Sequence, residues 1–294
     1  MRGAVNQCNY VPGSCADVGM CFNGWMDTAS PTLRDTLQTA RKSRRLSQLE
    51  LALRIGVSQR HVSFVESGRS QPSRELLLAW LLELQAPLAL RNVALQQAGF
   101  APVYRDSELH DAVLAPVREA LGHLLQAHDP MPALVLDASW NVVQMNRGAQ
   151  WIAITLMPWM VQLPQGQPIN LLDAMLHPQG MTSRITNLEE VAPAMLAHLR
   201  DDASVVPELL PRVEQLANQF QSRLGNKRLV AWPRQMAPVL TTRFATDYGE
   251  LAFFSIFSTF GTPQDITLAS LRVEHMFAAD TVTRQVVMEQ VRGF

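Results

Sequence analysis

Residues 47–67, SQLELALRIGVSQRHVSFVES, decide the fold of the first third of the chain. Ser47 is placed to cap a helix over Gln48–Ile55, Gly56 to break it, and Ser58 to cap a second helix running through Glu66. Leu51 and Ile55 fall four apart on one face of the first helix, Val62 and Val65 three apart on the second, and Val57 points inward from the turn. Ala52 sits where the two helices cross, a place with no room for a larger side chain. Gly56 can take the left-handed backbone that side-chain-bearing residues resist. This is a helix-turn-helix pattern. A plain helical hairpin would share its small residue, glycine turn and apolar faces, so charge has to separate the two. Between Thr32 and Arg74 nine Lys or Arg stand against three acids, a formal +6. The whole chain carries −1, so the remainder holds −7. Basic charge gathered on the motif suits phosphate binding and is not required by a structural hairpin.

In helix-turn-helix geometry the first turns of the second helix enter the major groove. Gln59, Arg60 and Ser63 are the exposed positions there, with Ser58 and His61 beside them. Gln pairs bidentately with adenine and Arg with guanine, so these residue types suit base readout. Gln48, at the start of the first motif helix, is placed to meet a phosphate together with the free backbone N–H groups, and Arg69 and Arg74 suit backbone contacts.

Working outward, Thr32–Arg45 reads as a preceding helix with Leu33, Leu37 and Ala40 facing inward and Arg41, Lys42, Arg44 and Arg45 near its end. Gly68 stops the second motif helix, Pro72 and Ser73 open a mostly apolar helix over Leu76–Leu84, and Pro87–Ala98 supplies a fifth, ending at Gly99. The run GVSQRHVSFVESGRSQPSRELLLAW, followed by QQAGFAPVY, resembles the Xre/Cro-type helix-turn-helix family. More narrowly it resembles the MmyB-like transcriptional regulators, and PALVLDASWNVVQMNRGA is similar to the start of that family's second domain. The resemblance implies a lambda-repressor-like, five-helix DNA-binding domain over residues 31–100 that acts as a homodimer on a double-stranded operator. A PAS-like α+β ligand-binding and dimerisation domain would follow over 108–294, with residues 101–107 as linker.

At 294 residues, 47% hydrophobic and 17% charged, the chain is long enough for two folded domains. No run approaches the roughly twenty apolar residues that span a bilayer, so no membrane is expected as a partner. The three cysteines, Cys8, Cys15 and Cys21, lack zinc-site spacing and are odd in number, which fits a reducing cytoplasm. Residues 1–30 show no sustained periodicity and read as a disordered tail, or as the product of an upstream start with Met26 as the true beginning.

Beyond the linker, apolar residues recur at three and four from Leu109 to His128, an amphipathic helix. The period then changes. ALVLDASWNVVQMN reads as a hairpin, with Asn146 placed to cap a following helix, and Asn170–Phe220 reads as helical with Asn187 and Glu190 in a capping-box relation. Strand character returns at Val239–Phe244, Glu250–Thr259 and Ala269–Phe277, and Thr281–Val291 reads as a closing helix. Strands at both ends of a helical stretch predict one antiparallel sheet with helices over one face. Within FFSIFSTF neither alternating face is polar, so that strand is expected to be buried on both sides.

There is no GxSxG, HExxH, glycine-rich phosphate loop or CxxC, and the histidines are dispersed. The chain therefore reads as a non-enzyme with no metal or cofactor. The Met and aromatic excess from Trp151 to Met195 and in FFSIFSTF can line an adaptable pocket or simply fill a core. The pocket candidates are Trp151, Met157, Met160, Met175, Phe253 and Phe257. The family resemblance implies a fatty-acid-like or other small hydrophobic effector, with Arg184 or Arg147 meeting a carboxylate and His177 at the mouth. A second domain serving only dimerisation or partner docking, and an enzyme fused to a DNA-binding domain, are the alternatives.

Overall fold

The computed structural model describes residues 31–164, 167–225 and 239–294. The expectations for residues 1–30, with Cys8, Cys15, Cys21 and Met26, lie outside the described residues.

The first region is five helices: α1 (Leu33–Ser43), α2 (Gln48–Ile55), α3 (Gln59–Glu66), α4 (Arg74–Glu83) and α5 (Leu88–Gln97). Their ends follow from the local sequence. The Ser47 hydroxyl accepts from the Glu50 N–H while the Glu50 carboxylate accepts from the Ser47 N–H, a reciprocal cap that starts α2. Gly56 closes α2 at φ +72°, and the Ser58 hydroxyl accepts from His61 N–H to open α3. Leu37, Leu51, Val62, Leu77, Trp80 and Leu95 are fully buried between the helices.

Two of the basic residues at the end of α1 are structural. Arg41 is buried and makes a two-pronged pair with Glu66, its Nε and Nη2 each 2.7 Å from a carboxylate oxygen. Arg44 donates from Nε to the Leu84 carbonyl at 2.8 Å, satisfying the exposed end of α4. In a region this small, long basic side chains reach back across the core edge to unpaired acceptors, which a count of charges does not reveal.

The segment after α5 is a strap hydrogen-bonded on both sides. Asn92 of α5 accepts from Val103 N–H and Tyr104 N–H and donates to the Tyr104 carbonyl. Further on, the Arg105 carbonyl accepts from Ile266 N–H and the Ser107 hydroxyl donates to buried Asp265 at 2.6 Å.

The second region holds α6 (Ala115–His128), β1 (Ala133–Leu136), β2 (Val142–Met145), α7 (Arg147–Leu156), α8 (Leu171–Leu176), α9 (Leu188–Val205), α10 (Leu210–Leu224), β3 (Thr242–Thr246), β4 (Gly249–Thr259), α11 (Ile266–Ser270), β5 (Arg272–Ala278) and α12 (Thr281–Gly293). The five strands form one antiparallel sheet in the order β2-β1-β5-β4-β3, the α+β, PAS-like arrangement expected from the sequence. Asn146 caps α7 by accepting from Ala149 N–H. Helices α7–α10 and α12 build the large core on the inner face.

Three details differ from the sequence reading. Helices cover both faces, because α6 sets Leu121 and Leu125 against Ala133, Val135 and Val273 on the outer side. Strand β4 is buried over Leu251–Phe253 alone; Ile256 and Phe257 are exposed, Phe257 because it borders an unfilled chamber on the inner face. The Asn187 side chain does not cap α9, because its oxygen accepts from Arg243 N–H of β3 while its amide donates to Glu190.

Candidate functional site

The recognition surface is built on α3. Its cap leaves Gln59 and Arg60 exposed on the first turn, with His61 and Ser63 half-buried behind them. The Arg60 guanidinium lies 5.1 Å from the centre of the Phe64 ring and that of Arg69 5.9 Å, so one aromatic face braces two cations at the same edge. Arg74 is exposed at the first position of α4, after the Ser73 cap. Gln48 is placed differently from expectation: its amide donates to Glu66 at 2.8 Å, completing the buried Arg41–Glu66 pair.

The second region contains an apolar chamber of about 290 Å³ between the inner sheet face and the helices. Two helical stripes form much of its wall, Ala149, Ile152, Ala153 and Leu156 on α7 and Val191, Ala194, Met195 and His198 on α9. Each repeats at i, i+3, i+4 and i+7, one face of a helix. The sheet contributes Phe253, Ser255 and Phe257 by strand alternation, with Leu134, Glu274 and Met276 beside them. Leu134, Glu274 and Phe257 are direct neighbours across β1, β5 and β4. Gly180 helps to fix α8 and hence Met175 in the wall: a Cβ there would lie 1.9 Å from the Ala174 carbonyl oxygen.

Polar groups are few and clustered at one end. The Ser255 hydroxyl donates to Glu274 Oε1 at 2.6 Å. Burial pushes the Glu274 carboxyl above the usual carboxylate range, against the smaller opposite pulls of Ser255, Arg272 and His198. Part of the Glu274 surface is accessible and lines the chamber. Alongside, Asp202 accepts from Arg272 at 2.7 Å and from the Trp140 indole N–H at 2.9 Å, and the Arg272 guanidinium lies 4.2 Å from the centre of the Trp140 ring. Trp140 has φ +66°, a left-handed backbone that this network holds in place. His198 tilts against Phe257, ring centres 5.3 Å apart.

Of the residues the sequence singled out, Met157, Met175, Phe253 and Phe257 line the chamber. The others lie outside its wall. Trp151 packs in the core against Tyr248, and Met160 lies on the turn after α7. His177 stacks on Trp159 with ring centres 4.1 Å apart. Arg184 is exposed, and Arg147 donates to the Val291 carbonyl. The sequence reading missed Glu274, Ser255 and His198, together with Phe64 on the DNA side. The i, i+3, i+4, i+7 stripe ending at His198 was the one available signal, a polar residue closing an otherwise apolar helical face.

A helix-turn-helix region strapped to a sheet domain with an apolar chamber is the architecture of a DNA-binding region joined to a ligand-binding one. Residues 37–90 match the helix-turn-helix family model, and residues 117–288 match the MmyB-like transcription regulator ligand binding domain. The chain belongs to the MmyB-like transcription regulators. No curated protein matches it. Among solved structures, an RNA-binding light-oxygen-voltage receptor is similar at 14% identity and a TM-score of 0.22, over 89% of this chain and 63% of that one. The chain thus spans less than two thirds of that receptor's length, and the superposition is too poor to bear on fold or function.

Proposed function

We propose that this chain is a sequence-specific DNA-binding transcription regulator whose operator affinity is set by a small hydrophobic effector held in the chamber. The observation that carries the reading is the joint presence of an exposed, capped recognition helix and an apolar chamber with clustered polar groups on one chain. Gln59 and Arg60 read bases, with Ser58, His61 and Ser63 shaping the fit and Arg69 and Arg74 on phosphates; Gln48 acts by holding Glu66. Met157, Met175, Phe253 and Phe257 contact the effector.

The route between the sites is physical. Strand β5, which carries Glu274, continues from α11; Asp265 at the head of α11 holds Ser107; and Tyr104, three residues earlier, is held by Asn92 of α5. A shift of β5 on filling the chamber is therefore passed to the reader through hydrogen bonds rather than through a loose tether. The protein acts as a cytoplasmic homodimer, because one small helix-turn-helix reads too few base pairs to single out a site. No helix among the described residues is long and apolar enough to cross a membrane.

Genome-wide mapping of bound sites followed by affinity measurements on the recovered sequence tests the DNA reading. A shared motif with two-fold symmetry is expected, and uniform binding to unrelated DNA would refute it. The reading in which the second region only dimerises or docks a partner predicts no saturable uptake of any alkyl compound.

A further inference from the structure

We propose that the chamber selects amphiphiles whose polar end is a cationic nitrogen, paired with Glu274, over fatty-acid-like carboxylates; this rests on the chamber being the effector site. Glu274 sits on the chamber floor, level with Leu134 and Phe257 on the neighbouring strands. Its one hydrogen bond among the described residues is the donation from Ser255 to Oε1, which leaves Oε2 as an acceptor without a partner. An acceptor in an apolar enclosure calls for a donor, and a charged donor there gains more than it would in water.

No Lys or Arg lines the chamber among the described residues. The nearest cation, Arg272, is not available to a ligand carboxylate. Its Nη1 is held by Asp202 at 2.7 Å, its guanidinium lies 4.2 Å from the centre of the Trp140 ring, and its Nε and Nη2, although without partners, have no accessible surface to offer a ligand. The two arginines that the fatty-acid expectation would use are elsewhere, Arg147 bonded to Val291 and Arg184 exposed. A ligand carboxylate would therefore find no free Lys or Arg beside Glu274 and only the smaller pulls of Arg272 and His198, whereas an ammonium group would pair directly with the Glu274 carboxylate. The raised Glu274 pKa agrees: its isolation is costly, and a cation relieves that cost.

The test is calorimetric titration of the full chain with decylamine, decanol and decanoate, which share one alkyl tail. Decylamine is expected to bind at least about tenfold more tightly than decanol, as a charge-assisted hydrogen bond would give, and decanoate more weakly than either. Glu274→Gln should remove the amine preference, bringing decylamine and decanol to similar affinities, and saturable decanol binding by the variant shows that it folds. Ala153→Phe, which fills the chamber, should abolish binding of all three. Decanoate binding as tightly as decylamine, or an amine preference that survives in Glu274→Gln, overturns the proposal. Equal binding of amine and alcohol to the wild type does so too, while leaving the chamber reading intact. No saturable binding by any of the three overturns both.

Discussion

The two regions place their polar chemistry on opposite sides of their cores. In the helix-turn-helix region the interior is filled by Leu37, Leu51, Val62, Leu77 and Trp80, the buried ions Arg41 and Glu66 satisfy each other, and Gln59, Arg60, Arg69 and Arg74, proposed to meet DNA, are exposed. In the sheet region the interior is left open, and the acid that faces the opening lacks a full set of partners. A filled core with its buried ions paired makes a rigid platform on which exposed residues are read. An open core with an unsatisfied acid suits the proposed receptor role, because binding would complete what folding leaves undone.

The largest expected effect tests the filled half. Glu66→Ala leaves the Arg41 guanidinium buried without its counter-ion and should cost about 3–5 kcal/mol of stability. Glu214→Ala, which breaks the half-exposed Arg200–Glu214 pair of the sheet region, should cost no more than about 1 kcal/mol. Chemical denaturation of both variants decides; equal losses would mean that the Arg41–Glu66 pair is no anchor.

Adding volume should separate the regions next. Ala52→Leu forces a larger side chain into the α2–α3 crossing, where Ala52 is 1% exposed, at a cost of about 1–3 kcal/mol. Ala153→Leu projects into the chamber and should leave the melting temperature unchanged or raised. A comparable loss from both would mean that the chamber wall has no room.

On the reading surface, Gln59→Ala and Arg60→Ala should each cost about 1–3 kcal/mol at one base position, and Arg69→Ala should weaken all sequences alike. Affinities on a set of single-base operator variants distinguish these patterns. A uniform loss from Gln59→Ala and Arg60→Ala would remove them from base readout.

The smallest effect is one of pH. Glu274 has a folded pKa above its unfolded value, so the folded state holds its proton more firmly. Stability is then fully present below the unfolded pKa and declines as pH rises toward the folded one. Glu274→Gln removes that decline. The variant should melt higher than the wild type near neutral pH, with the gap narrowing as pH falls through the ordinary carboxylate range; a gap that widens on acidification would contradict the burial assignment.

Much of this was legible in the sequence. Ser47, Gly56 and Ser58 set helix ends through local chemistry, and the apolar spacing around them fixed the packing, so the helix-turn-helix and its exposed first turn followed directly. The sheet was legible as strands, and Asn146 as a cap, for the same local reason. What was not legible depends on contacts distant in the chain. Arg41 reads as a helix-end cation until Glu66, 25 residues later, is folded onto it. The chamber draws on α7, α9, β1, β4 and β5, so a Met-rich stretch such as Trp151–Met160 holds wall and core residues without distinction. Glu274 carries no local sign of burial: it alternates with Val273 and His275 like any edge residue, and only its cross-strand neighbours Leu134 and Phe257 place it inside.

The central claim, that filling the chamber changes DNA reading, is tested most directly by measuring operator affinity with and without a saturating alkyl ligand, and ligand affinity with and without operator. Linkage requires the same factor in both directions, about fivefold or more for coupling of ordinary strength. The account predicts equal factors in the wild type and smaller ones in Asp265→Ala, which removes the partner of the Ser107 hydroxyl and leaves the strap held by Ile266 N–H on the Arg105 carbonyl and the Thr267 hydroxyl on the Ser107 carbonyl. Operator affinity that does not change at ligand saturation would contradict it.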